Sequence, residues 1–178
     1  MAHGHSIAGR FRTRRAGATA RIRRPAATND NEFHNLVIEA GLGRDAVEVA
    51  AVASVTALLF ERGTTVIPLA IVKSCAGETE TIIDPAVSEE SDPQEHYNWL
   101  LVRLREMAKQ REIIALAMLR RVQIQPPGEE QERPAIAIHV EEEGAAKAVV
   151  TWIPVRKGKL VNADEFGKTR KRLIFQGN

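Results

Sequence analysis

The chain has 178 residues, 44% of them hydrophobic and 27% charged, a composition that buries a core and a length that fits one domain with extensions. A collagen-like, mucin-like or wholly disordered chain is excluded, and no apolar run nears the ~20 residues of a bilayer-spanning helix. The single cysteine, Cys75, excludes an intramolecular disulfide and a cysteine-rich zinc site.

The formal net charge of +2 conceals a partition. Residues 1 to 28 carry seven arginines and no acid, and residues 156 to 172 carry seven cations against Asp164 and Glu165. Residues 29 to 155 hold 11 basic and 21 acidic side chains. The expectation is an acidic folded body with two basic ends. Residues 1–30 read as a disordered basic arm, 31–160 as an α+β globular domain and 161–178 as a basic C-terminal tail. The arm has no apolar h-region, and its Arg-rich, acid-free composition also resembles an organelle transit peptide; the expected location is otherwise cytoplasmic. His3 and His5 lack a third ligand and are not read as a metal site.

Along the body, the alanine-rich stretch Asp45 to Arg62 predicts a helix buried on most sides, with Gly63 as its stop. Thr64 to Val72 predicts a strand, and Pro68, which has no backbone donor, places that strand at an edge or a bulge. Gly77 turns the chain into a return strand, Glu78 to Ile83. Asp92-Pro93-Gln94-Glu95 is the strongest local signal, a helix start with Asp92 as cap, Pro93 in the first position and Glu95 set to complete a capping box. Tyr97, Leu100, Leu101, Leu104, Met107 and Ala108 follow at helical spacing.

Ile113 to Ile124 reads as a long central strand and Pro126-Pro127-Gly128 as a loop. Ala135 to Glu142 and Ala146 to Val155 form a second hairpin turning near Gly144. Ile136, Ile138 and Val140 share one face of their strand and Ala137, His139 and Glu141 the other, which predicts one half-solvated sheet face. The fold class is α+β, a largely antiparallel five-stranded sheet with two main helices in the order α-β-β-α-β-β-β.

Chemistry is sparse. Cys75 with His139 or His96 would compose a Cys-His nucleophilic pair, but nothing in the sequence brings them together, and a lone cysteine reads as a small hydrophobe. Glu141, Glu142 and Glu143, or Glu78, Glu80 and Asp84, lack calcium-loop spacing and read as solvated turns. Gly41-Leu42-Gly43 lacks the third glycine of a dinucleotide fingerprint, and no nucleophile elbow, zinc helix or kinase signature occurs. No cofactor and no metal are implied. The concrete surface feature is Lys168, Arg170, Lys171 and Arg172 beside Leu173-Ile174-Phe175, where the apolar triplet either joins the surface or packs back while the cations stay in water.

Val66-Ile-Pro-Leu-Ala-Ile-Val72, the acidic linker before the Asp92 helix, and the strands Ala135 to Val140 and Val149 to Val155 resemble a family of small bacterial proteins with no known activity. The element order also resembles the roadblock and longin group of regulatory domains, which implies a five-stranded antiparallel sheet between helices and a dimerising adaptor role. The expected function is binding, as a regulatory or adaptor protein that self-associates or takes an acidic or protein partner. The expected binding residues are Pro68, on an edge strand open to a partner, and Lys168, Arg170, Lys171 and Arg172. Two alternatives stand beside it: an enzyme using Glu141, His139 and Cys75 on the sheet face, and a nucleic-acid-associated protein using the basic ends for non-specific phosphate contacts.

Overall fold

Asp92 accepts the amide of Gln94 at 2.9 Å and Pro93 takes the first helical position, so a helix runs Pro93–Lys109 as its capping residues predict. Its other end closes with two bonds, Arg111 N to Ala108 O at 3.1 Å and Glu112 N to Met107 O at 2.9 Å. This is the Schellman pattern, and Arg111 holds the left-handed position usually given to glycine, at φ 56°. The chain then reverses straight into the strand Ile113–Ile124.

The computed structural model describes residues 28–59, 67–88, 90–125, 130–156, 159–160 and 168–176. In chain order the elements are α1 (Thr28–Glu39), α2 (Arg44–Leu59), β1 (Leu69–Ser74), β2 (Thr79–Ile83), α3 (Pro93–Lys109), β3 (Ile113–Ile124), β4 (Arg133–Glu142), β5 (Ala148–Arg156), β6 (Lys159–Leu160) and β7 (Lys168–Arg170). The predicted arm up to residue 27, the Gly63 stop, the strand start at residues 64–66 and the loop at 126–128 lie outside the described residues.

The fold is α+β with an antiparallel sheet in the order β2-β1-β3-β4-β5, and the short strands β6 and β7 both pair with β5. α1 is an addition to the expected order. Its sequence is too polar to announce a helix, but Phe33, Leu36 and Val37 pack it onto the same core as α2, so tertiary contact outweighs weak local preference.

The placement of Pro68 on an edge strand is corrected by the register. β1 is an internal strand, with Leu69 opposite Ile83 of β2 on one side and Leu119 of β3 on the other. Pro68 is buried immediately before the first paired residue. Its missing N–H therefore falls just outside the ladder, which lets a proline precede an internal strand. Among the described residues, β2 pairs on one side only and carries the open edge.

Two cores lie on opposite faces of the sheet. α1 and α2 cover Leu69, Ile71, Ala117, Leu119, Ile136, Ile138 and Val149. α3 covers Ala70, Val72, Leu116 and Met118, joined by Leu173, Ile174 and Phe175 from the C-terminal segment. The expectation of a half-solvated second face is thus also corrected, since Ala137 and Glu141 on that face are buried. Residues 168–176 of the segment expected to be a tail lie on the fold, and of the two outcomes for Leu173-Ile174-Phe175 the structure adopts the packed one.

Candidate functional site

β4 alternates its side chains, so His139 and Glu141 share the α3 face two residues apart. Glu141 is fully buried, and its oxygens are occupied. Oε1 accepts His139 Nε2 at 2.7 Å and the amide of Leu173 at 2.5 Å, while Oε2 accepts the amides of Ile174 and Phe175, both at 3.1 Å. Burial by itself pushes this carboxyl upward. The hydrogen bond and charge of His139 with the amides of Leu173 and Phe175 outweigh burial and hold it below the ordinary carboxylate value. Glu141 is therefore an anionic latch that pins residues 173–175 to the sheet.

A second tie comes from α3, where Arg105 Nε donates to the carbonyl of Leu173 at 3.0 Å. Between the end of α3, the β4–β5 turn and the pinned segment lies a cleft of about 640 Å³. Arg105, Lys109 and Arg172 bring positive charge to its wall, Glu143 is the one acid there, and Ala108, Ile174 and Phe175 supply its apolar surface. Arg105 and Lys109 are one helical turn apart and so project on the same side of α3.

β7 extends this surface. Its register sets Lys168 opposite Val150 and Arg170 opposite Ala148. Val150 lies opposite His139, so both cations emerge on the α3 face. Arg170 stands over the Trp152 ring at 5.6 Å and Arg120 over Tyr97 at 4.3 Å. Each of these rings thus already has a guanidinium on it.

Of the expected binding residues, Arg172 lines the cleft and Lys168, Arg170 and Lys171 are exposed beside it. Pro68 is buried on β1 and apart from them. Arg105 and Lys109 are partners of Arg172 that the sequence reading did not single out. The i, i+4 spacing of Arg105 and Lys109 was the available signal, and it reads equally well as an outer helix face. The alternative set Glu141, His139 and Cys75 is only half assembled: His139 and Glu141 meet, whereas Cys75 is exposed in the β1–β2 turn and bonds the carbonyl of Arg111. With three amides and an imidazole on it, Glu141 has no free oxygen lone pair aimed at solvent for acid–base work.

His96 pairs elsewhere, its Nδ1 lying 2.7 Å from Asp84 Oδ2 in a buried contact between the end of β2 and the first turns of α3. That bond foremost, then the amide of Ala86, holds the Asp84 carboxyl below its ordinary value. Among the described residues no group of three His, Cys, Asp or Glu side chains converges as a metal site, and no helix is long and apolar enough to cross a membrane. Compared with protein-family models, with curated proteins and with solved structures, the chain finds no match, so its functional reading rests on geometry.

Proposed function

We propose that the protein acts by binding, as a regulatory or adaptor module whose α3 face takes an acidic segment of a partner protein. The observation that carries the reading is the convergence of Arg172 with Arg105 and Lys109 around a cleft that also offers Ile174 and Phe175. Carboxylates of the partner pair with the three cations and one apolar side chain fills the space between them. Lys168, Arg170 and Lys171 steer the approach from the adjoining strand. The same face is a poorer match for single-stranded nucleic acid, because Tyr97 and Trp152 carry guanidinium groups where bases would stack.

The test is titration of the full chain with a fluorescent peptide rich in Glu and Asp that bears one aromatic residue, beside a charge-reversed control. Binding that weakens steeply between ~50 and ~500 mM salt is the expected result. Arg172→Glu with Lys109→Glu abolishes it, and Glu143→Gln strengthens it. Equal affinity for the control peptide, or binding indifferent to the double substitution, overturns the reading.

A further inference from the structure

The two edges of the sheet are finished differently. β5 carries β7 along Ala148–Val150 and β6 at Val155 and Arg156, whereas among the described residues β2 pairs only with β1, and four of its five residues, Thr79, Glu80, Thr81 and Ile83, are exposed. An unpaired strand edge is a template for another strand. We propose that β2 joins β2 of a second copy of this chain across a two-fold axis centred on Thr81, making one continuous sheet through a dimer. This surface shares no residue with the lining of the basic cleft and does not depend on the binding reading above.

The register follows from symmetry and charge. An axis perpendicular to the sheet passes through a residue position, because directly opposed antiparallel residues point to the same face. Centred on Thr81, the pairing sets Thr79 against Ile83, Glu80 against Ile82 and Thr81 against itself, so no acid opposes an acid within the strand. Centring on Glu80 would oppose two glutamates, and centring on Ile82 would set Glu80 against Asp84. In the chosen register Asp84 falls opposite Glu78 beyond the strand, but it is buried and turned inward onto His96.

A five-residue strand buries too little alone, since a stable interface needs roughly 800 Å² per partner. α2 supplies the rest. Glu48 accepts Lys73 Nζ at 2.7 Å and lies 3.4 Å from Thr79 Oγ1, so its side of α2 looks over β2. Val52 and Val55 share that side at i+4 and i+7 and are 39% and 59% exposed, and Ile83 below them is 45% exposed. Residues 49–60 contain no charged side chain. The hydroxyls of Ser54 and Thr56 bond back to the carbonyls of Ala50 and Val52 at 2.9 and 2.8 Å. Apart from Glu48, which is paired with Lys73, this side of α2 thus offers no charge, and those two hydroxyls are engaged within the helix, while the two-fold brings Val52 and Val55 against their own copies.

The experiment is sedimentation of the full chain, wild type beside Thr81→Lys, Thr81→Glu and an equal mixture of the two. Residue 81 is exposed, so these substitutions leave the cores intact, which circular dichroism checks. The expected result is a wild-type dimer, roughly a hundredfold weaker association in each single variant, and recovery of a mixed dimer when lysine meets glutamate across the axis. A wild-type monomer overturns the proposal. So does a dimer that both variants retain, or variants that stay apart when mixed, the outcome expected if the edge serves a foreign strand.

Discussion

Replacing Glu141 by glutamine tests whether one buried carboxylate organises the α3 face. The substitution keeps the volume and one oxygen, but it turns the other position into an NH₂ donor facing amides that are themselves donors. In the wild type the carboxylate takes His139 and the amides of Leu173, Ile174 and Phe175. A hydrogen bond to a charged group contributes about 1.5–3 kcal/mol and a neutral one about 1, so losing one bond and weakening the others costs about 3 kcal/mol. Release of the segment caps the penalty, because its amides then return to water while Ile174 gives up its burial. The assay is hydrogen exchange at Leu173, Ile174 and Phe175, where protection falls about a hundredfold if opening is local. The Arg172 side of the cleft loosens with it, and the acidic peptide binds more weakly. Wild-type protection at those three amides in Glu141→Gln would refute the latch.

Acid provides the same release without mutation. Glu141 and Asp84 both titrate below their ordinary values in the folded chain. Their stabilisation is therefore complete above the ordinary carboxylate range and is lost as pH falls through the lowered folded values. Protection at Leu173–Phe175, taken relative to the intrinsic exchange rate at each pH, stays constant from neutral pH down to that range and falls below it; release already near neutral pH contradicts the assignment. Arg111→Gly should stabilise the protein by about 1 kcal/mol in urea unfolding, since φ 56° crowds a Cβ and the Schellman bonds are retained. A lowered unfolding midpoint would show that the Arg111 side chain contributes more than its backbone strain removes.

What the sequence disclosed was mostly local. Asp92 and Pro93 start α3 because a cap needs only its own neighbours, and the β3, β4 and β5 strands appear within a few residues of their predicted bounds. Pro68 was misplaced because edge status depends on which strand lies alongside, and β3 arrives from more than forty residues away. His139 and Glu141 were legible as same-face neighbours, but whether that face was wet depended on a segment 32 residues further on. α1 gave no usable period, and Arg105 with Lys109 became a site only when Arg172 was brought to them.

The run Glu141-Glu142-Glu143 shows why a segment's net charge does not give the sign of a face. Alternation along β4 sends Glu141 to the α3 side and Glu142 to the other, where its carboxylate accepts the amide of Gly43 at the start of α2. A Cβ on Gly43 would lie 3.0 and 3.1 Å from the two carboxylate oxygens, so a residue without one allows that approach. Glu143, past the end of the strand, is the member of the three that lines the cleft. Glu48 and Asp84 are likewise engaged, with Lys73 and His96. Acids that make the body of the chain negative are thus held by amides, a lysine and a histidine within the fold, while Arg105, Lys109 and Arg172 gather around the cleft. A partner approaching α3 meets those cations, so the proposed acidic segment is compatible with a body whose sequence is itself acidic.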